Sequence, residues 1–225
     1  MFKNLLQFWK GKDFLSQVLE DFKNMLDDTR EMFASVCRRL LHNEPEAGLE
    51  DKIYDIDRKV NELERDIRKR VVEHLSIQPS VDVPTSLLLM SVVKDAERLG
   101  DYAKNLLEVI KFLEKPIDKN KYIDLFNNIE EEILELFKQT KKAFIESDEA
   151  RAASSWDYER EIAKRCDKTI EKLSKSDLSV NEAVCFALMA RYFKRTAAHL
   201  TNIATSVILP LTDLDYFDEK RKERK

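Results

Sequence analysis

Glu97 and Asp101 stand four residues apart and Asn105 four further on, a spacing that puts all three side chains along one face of a helix. Earlier in the chain, Asp57, Asn61 and Glu64 repeat the pattern at i, i+4, i+7. Four carboxylates and two amides are hard oxygen donors, the ligand type taken by Mg²⁺, Mn²⁺ and iron. If the two helices run antiparallel, both sets can meet along one groove. The competing reading is a solvated face, because an acidic stripe opposite an apolar one is also what an ordinary surface helix shows. Spacing alone leaves both readings open.

Other chemistries have thinner support. His42, His74 and His199 are preceded three residues earlier by Arg39, Val71 and Thr196, so the Glu-x-x-His pairs of carboxylate-bridged di-iron bundles are missing. The chain contains neither a glycine-rich phosphate loop nor an HExxH pair. Cys37, Cys166 and Cys185 are scattered, which suits reduced thiols better than a disulfide framework. Cys185 lies in the apolar run VCFALM and reads as core. The net charge of −4, with no basic stripe through the body, excludes a general nucleic-acid binder. No run approaches the length of a membrane span and the start of the chain lacks a signal-peptide pattern, so a soluble cytoplasmic protein is expected.

The elements that must position these acids are helices. Only 3 Gly and 5 Pro occur among 225 residues, and 36% of the residues are charged, a mixture rich in helix formers and poor in breakers. Periodicity and breakers predict six helices. The first runs from Asp13 to Asn43 and the second from Leu49 to Leu75, ended by Gln78-Pro79-Ser80. The third begins at Asp82, taken as the N-cap, with Pro84 in its first turn, and stops before Pro116. After the polar linker PIDKN, a fourth is expected from Tyr122 to Glu146, a fifth from Ala152 to Leu173, and a sixth after Ser179 that ends before Pro210.

These six fall into two sets of three, and the sequence shows why. DAERLGDYAKN, Asp95 to Asn105, returns as RYFKRTAAHLTN, Arg191 to Asn202, so that Arg98 answers to Arg195 and Asn105 to Asn202. The expected fold is therefore all-α, a tandem duplication of a three-helix bundle with the two bundles in line. The expected divisions are an N-terminal apolar segment at 1–12, a first bundle at 13–115, a second at 121–209 and a charged tail at 210–225. In the N-terminal segment, Phe2, Leu5, Leu6, Phe8 and Trp9 form an apolar cluster that can dock on its own bundle or meet a membrane surface or partner. On the third helix, Val92, Ala96, Leu99, Ala103, Leu106 and Ile110 form the stripe expected to face the core. Gly100 in its middle points to a close approach by another group.

The segment from Asp57 to Asn105 resembles the PhoU family of phosphate-uptake regulators. That family carries an LERIGD motif with an Asn four residues on, here AERLGD and Asn105. Its preceding D-x-x-V-N-x-x-E helix reads here as Asp57, Val60, Asn61 and Glu64, and its intervening turn as Gln78-Pro79 followed by Asp82-Val83-Pro84. The resemblance implies a duplicated three-helix bundle. It also implies a non-enzymatic adaptor that restrains phosphate uptake by contacting a phosphate transporter, either an ABC system or a sodium/inorganic-phosphate carrier, and in some bacteria a sensor histidine kinase. It further implies a homodimer that reaches the membrane peripherally through its partner.

PhoU-like proteins are described as binding metal through such acidic motifs in both bundles. In this chain Lys194 and Ala198 stand where the second copy's Glu and Asp would be. Glu159 aligns with Asp57, but Ala163 and Cys166 replace the counterparts of Asn61 and Glu64. A divalent metal (Mg, Mn, Fe or Zn) is therefore expected on the first bundle only, at Asp57, Asn61, Glu64, Glu97, Asp101 and Asn105. The alternatives are a metal-free helical scaffold and a metal-dependent hydrolase. The hydrolase has neither histidine ligands nor a nucleophile signature in its favour.

Overall fold

Long apolar stripes interrupted by a few breakers yield seven helices among the residues that the computed structural model describes, 13–77 and 82–216, with side chains from residue 16. Helix α1 spans Asp13–His42, α2 Leu49–Ile77, α3 Val83–Phe112, α4 Lys119–Phe126, α5 Ile129–Glu146, α6 Glu149–Leu173 and α7 Val180–Thr205, with a 3₁₀ turn at Leu211–Asp213. The described residues contain no strand. The N-terminal apolar cluster, the Gln78–Pro79 turn and the tail beyond residue 216 lie outside the described residues.

The expected fourth helix is two. Asn127 and Asn128 both take left-handed backbone at φ 54°, ending α4 and starting α5. After Gly, Asn tolerates this conformation best, and the Asn127 N–H closes the last turn on the Ile123 carbonyl at 2.8 Å. Helix α4 begins inside the expected polar linker, where the Asp118 carboxylate accepts from the N–H groups of Asn120 and Lys121. Asp82 holds the expected N-cap position of α3, but without the side-chain bond of a capping residue. Its backbone is left-handed (φ 62°) and its side chain lies instead 3.3 Å from His74 Nε2.

Helices α1, α2 and α3 pack on one another, as do α5, α6 and α7, with α4 lying against α6 and α1. The two bundles sit side by side, not in line. Helix α3 runs antiparallel to α7, so that Asp95 meets His199, Tyr102 meets Tyr192, and the Asn181 amide donates to the Phe112 carbonyl. Helix α1 runs antiparallel to α5, pairing Phe22 with Phe144 and Phe33 with Phe137 at 4.8 and 5.8 Å between ring centroids. Buried side chains from both bundles therefore join in one continuous core, with Phe33 also contacting Phe193 at 6.0 Å. Val92, Ala96, Leu99, Ala103 and Leu106 are buried as their spacing predicts, while Ile110 is half-buried. Leu89, Val93 and Leu107 are buried too, because α3 is enclosed on a second side by α7.

Candidate functional site

Helices α2 and α3 bring two of the predicted acids together. Asp57 and Glu64, on the flank of the α2 apolar stripe, are only 8% and 7% exposed, so these two are not solvated surface. Buried carboxylates need compensating charge and hydrogen bonds. For Asp57 the compensation comes from Lys104 on α3, whose ammonium lies 2.9 Å from Asp57 Oδ1 and 3.1 Å from Asp101 Oδ1. The Asn61 amide donates to Asp57 Oδ2 at 3.3 Å, and Arg98 donates to Asp101 Oδ2 at 2.9 Å. Burial alone would lower the pKa of Lys104, but its hydrogen bonds to Asp57 and Asp101 outweigh this and raise it. The group is therefore cationic throughout the neutral range.

The remaining predicted residues do not converge on that pair. Glu97 is held by Lys94 at 2.7 Å, with Arg98 at 3.9 Å. Glu64 forms an ion pair with Arg68 at 2.9 Å that lacks hydrogen-bond alignment. Asn105 is half-buried one turn beyond Asp101. Among the described residues, no three Asp, Glu, His or Cys side chains meet as a metal cage. The point between Asp57 and Asp101 is taken by an ammonium. As arranged, the six predicted residues do not fit a divalent ion.

In the second bundle, Cys166 is buried and its thiol pKa is pushed up to about 12, first by burial and then by the Asp167 charge. That makes it core packing, not a thiolate ligand. The Lys194 ammonium donates to both oxygens of Asp167 at 2.7 Å. Each histidine meets one carboxylate: His42 lies 3.6 Å from the buried Glu130, His74 lies beside Asp82, and His199 Nδ1 is 2.6 Å from Asp95.

Two features escaped the motif reading. Lys104 stands three residues after Asp101, a spacing that puts it on the acidic side of α3, but attention to acids alone passes over it. The Asp95–His199 contact could have been found from the repeat. Asp95 is equivalent to Tyr192 and Tyr102 to His199, and both cross-pairs form, Asp95 with His199 and Tyr102 with Tyr192. This is the reciprocity expected of a pseudo-two-fold seam.

Comparison with known proteins agrees with the duplicated architecture. The PhoU domain matches residues 22–110 and again residues 126–207. The chain is 26% identical over 206 residues to a Synechocystis sp. protein called phosphate-specific transport system accessory protein PhoU homolog, covering 86% of this chain and 87% of that one. A Thermotoga maritima relative, PhoU homolog 1 of the same description, is 23% identical over 163 residues, covering 70% of each. The crystal structure of PhoU from Pseudomonas aeruginosa superposes with a TM-score of 0.74 at 20% identity, over 87% of this chain and 95% of that chain. The phosphate transport system regulatory protein PhoU from Streptococcus pneumoniae superposes with the same TM-score at 15% identity, over 96% and 97%. With the PhoU domain matched in both halves, over most of its length, the chain belongs to the PhoU family.

Proposed function

We propose that this chain regulates inorganic phosphate uptake as a non-enzymatic accessory protein, acting by contact with a phosphate transporter at the cytoplasmic face of the membrane. One observation carries the reading: both halves match the PhoU domain, and relatives that align over most of their length are named accessory proteins of phosphate-specific transport systems. No described helix is long and apolar enough to cross a membrane, so attachment to the bilayer through a partner is the consistent arrangement. The site chemistry supports a binding role over turnover. Asp57, Glu64, Glu97 and Asp101 each lie against a Lys or Arg of the chain itself, so their oxygens are engaged within the fold and none is left aimed at a substrate position.

Deleting the gene and measuring radiolabelled phosphate uptake at high and low external phosphate tests this. Uptake, or its repression by phosphate, should change, and affinity capture from solubilised membranes should recover a phosphate transporter or its sensor kinase. If uptake and its regulation are unchanged at both concentrations, the reading is wrong.

A further inference from the structure

The Lys104 ammonium lies between two carboxylates from different helices, the position a bridging cation would take. We propose that Lys104 is the resident cation of the first bundle, replacing a divalent ion between Asp57 and Asp101, so that this chain becomes metal-binding there only when that ammonium is removed. The inference concerns cation chemistry alone and holds whatever the chain does to phosphate uptake.

Three observations support it. First, the geometry is close to that of a metal bridge. The ammonium contacts at 2.9 and 3.1 Å exceed the roughly 2.0–2.6 Å of metal–oxygen bonds by about an ångström or less. The same two oxygens could therefore close on a smaller, more highly charged ion with a modest side-chain shift. Second, the local charge is already balanced. Asp57 and Asp101 are matched by Lys104 and Arg98, so an incoming divalent ion would meet two fixed positive charges instead of an uncompensated acid pair. Third, the rest of the face is committed elsewhere. Glu97 is paired with Lys94, and the Asn61 amide donates to Asp57, turning its nitrogen toward the site. With Lys104 gone, two buried or half-buried carboxylates would face each other with only Arg98 beside them, and a divalent ion is the economical remedy.

The test compares wild type, Lys104→Met, Lys104→Arg, and Lys104→Met combined with Asp101→Asn. Each is stripped with EDTA, then titrated with Mn²⁺ and followed by electron paramagnetic resonance and by thermal unfolding. Wild type and Lys104→Arg should bind no stoichiometric Mn²⁺ and unfold at the same temperature in EDTA and in 1 mM Mn²⁺. Lys104→Met should bind one ion per chain. If its Kd is ~10 µM, 1 mM Mn²⁺ should raise Tm by roughly 5–10 °C. Adding Asp101→Asn should abolish both effects. A wild-type chain that binds one Mn²⁺ and loses it on Asp101→Asn overturns the proposal, and that arm needs no lysine variant to fold. A folded Lys104→Met that ignores Mn²⁺ overturns it equally.

Discussion

Asp95 on α3 and His199 on α7 meet at 2.6 Å across the seam between the two bundles. His199 also stacks on Tyr102, its own equivalent in the first repeat, at 5.5 Å between centroids. The seam between the copies is thus closed by a pair that neither repeat could supply alone, an acid from the first copy and an imidazole from the second. Asp95 is 8% exposed, and beyond His199 the partner it has on α7 is the Asn202 amide at 3.5 Å.

Removing the imidazole should therefore weaken the joint between bundles. His199→Ala leaves a mostly buried carboxylate without its close partner, a change that typically costs about 1–3 kcal/mol. Urea unfolding at neutral pH should show a lower midpoint with an unchanged slope, because the surface exposed on unfolding stays the same. Asp95→Asn combined with His199→Ala should recover part of the loss by removing the stranded charge. A single variant as stable as wild type would show that the contact contributes nothing.

The same seam sets a pH dependence. Asp215, just beyond the 3₁₀ turn, is an exposed residue whose carboxyl pKa is nonetheless raised, first by partial desolvation of the carboxyl and then by the charge of Asp95, with His199 pulling it back. Its folded pKa thus exceeds its unfolded value of about 3.9. Between the two values the folded chain binds the proton more tightly, so stability from this group is greatest below the unfolded pKa and is lost as pH rises through the folded one. Asp215→Asn should accordingly raise Tm at pH 7. Asn tolerates the left-handed backbone that this residue adopts (φ 70°). The gain should shrink as the pH is lowered toward 4 and should be larger in a His199→Ala background. A gain that grows on acidification would contradict the assigned direction.

How much of this could be read from the sequence depended on how local the determining physics was. Helix ends set by Pro116, Ser179 and Pro210 came through because breakers act within one turn. The split at Asn127–Asn128 did not, since Asn is ordinary in a helix pattern until two in succession adopt positive φ. The one-face spacing of Asp57, Asn61 and Glu64, and of Glu97 and Asp101, identified the acids. It could not say that Lys104 stands between Asp57 and Asp101, because an ion pair across 47 positions depends on the register of α2 against α3. The side-by-side docking was encoded only indirectly, in an α3 that is apolar beyond the needs of one bundle, with Val93 and Leu107 buried as well as Val92 and Leu106.

Gly100 brings the site and the packing together. It lies within α3 at the level of Asp57, and its position suggested a backbone that something approaches too closely for a side chain. The space is larger than that. A Cβ built there would meet Met32 Sδ and Thr29 Cγ2 at 3.6 Å and Asp57 Oδ1 at 3.7 Å, all ordinary van der Waals contacts. The backbone is regular helix, where Ala is favoured over Gly by roughly 0.5–1 kcal/mol, largely through the unfolded chain's lost freedom. Gly100→Ala should therefore stabilise the protein and raise Tm by about 1–4 °C in a chain of this size, leaving the Asp57–Lys104 pair in place. Gly100→Leu should do the opposite, because its branches must displace Met32 and Thr29 from a core position where both are fully buried. Thermal unfolding of the two variants decides the matter. A destabilised Gly100→Ala would mean that α1 and α2 approach this residue more tightly than van der Waals contact.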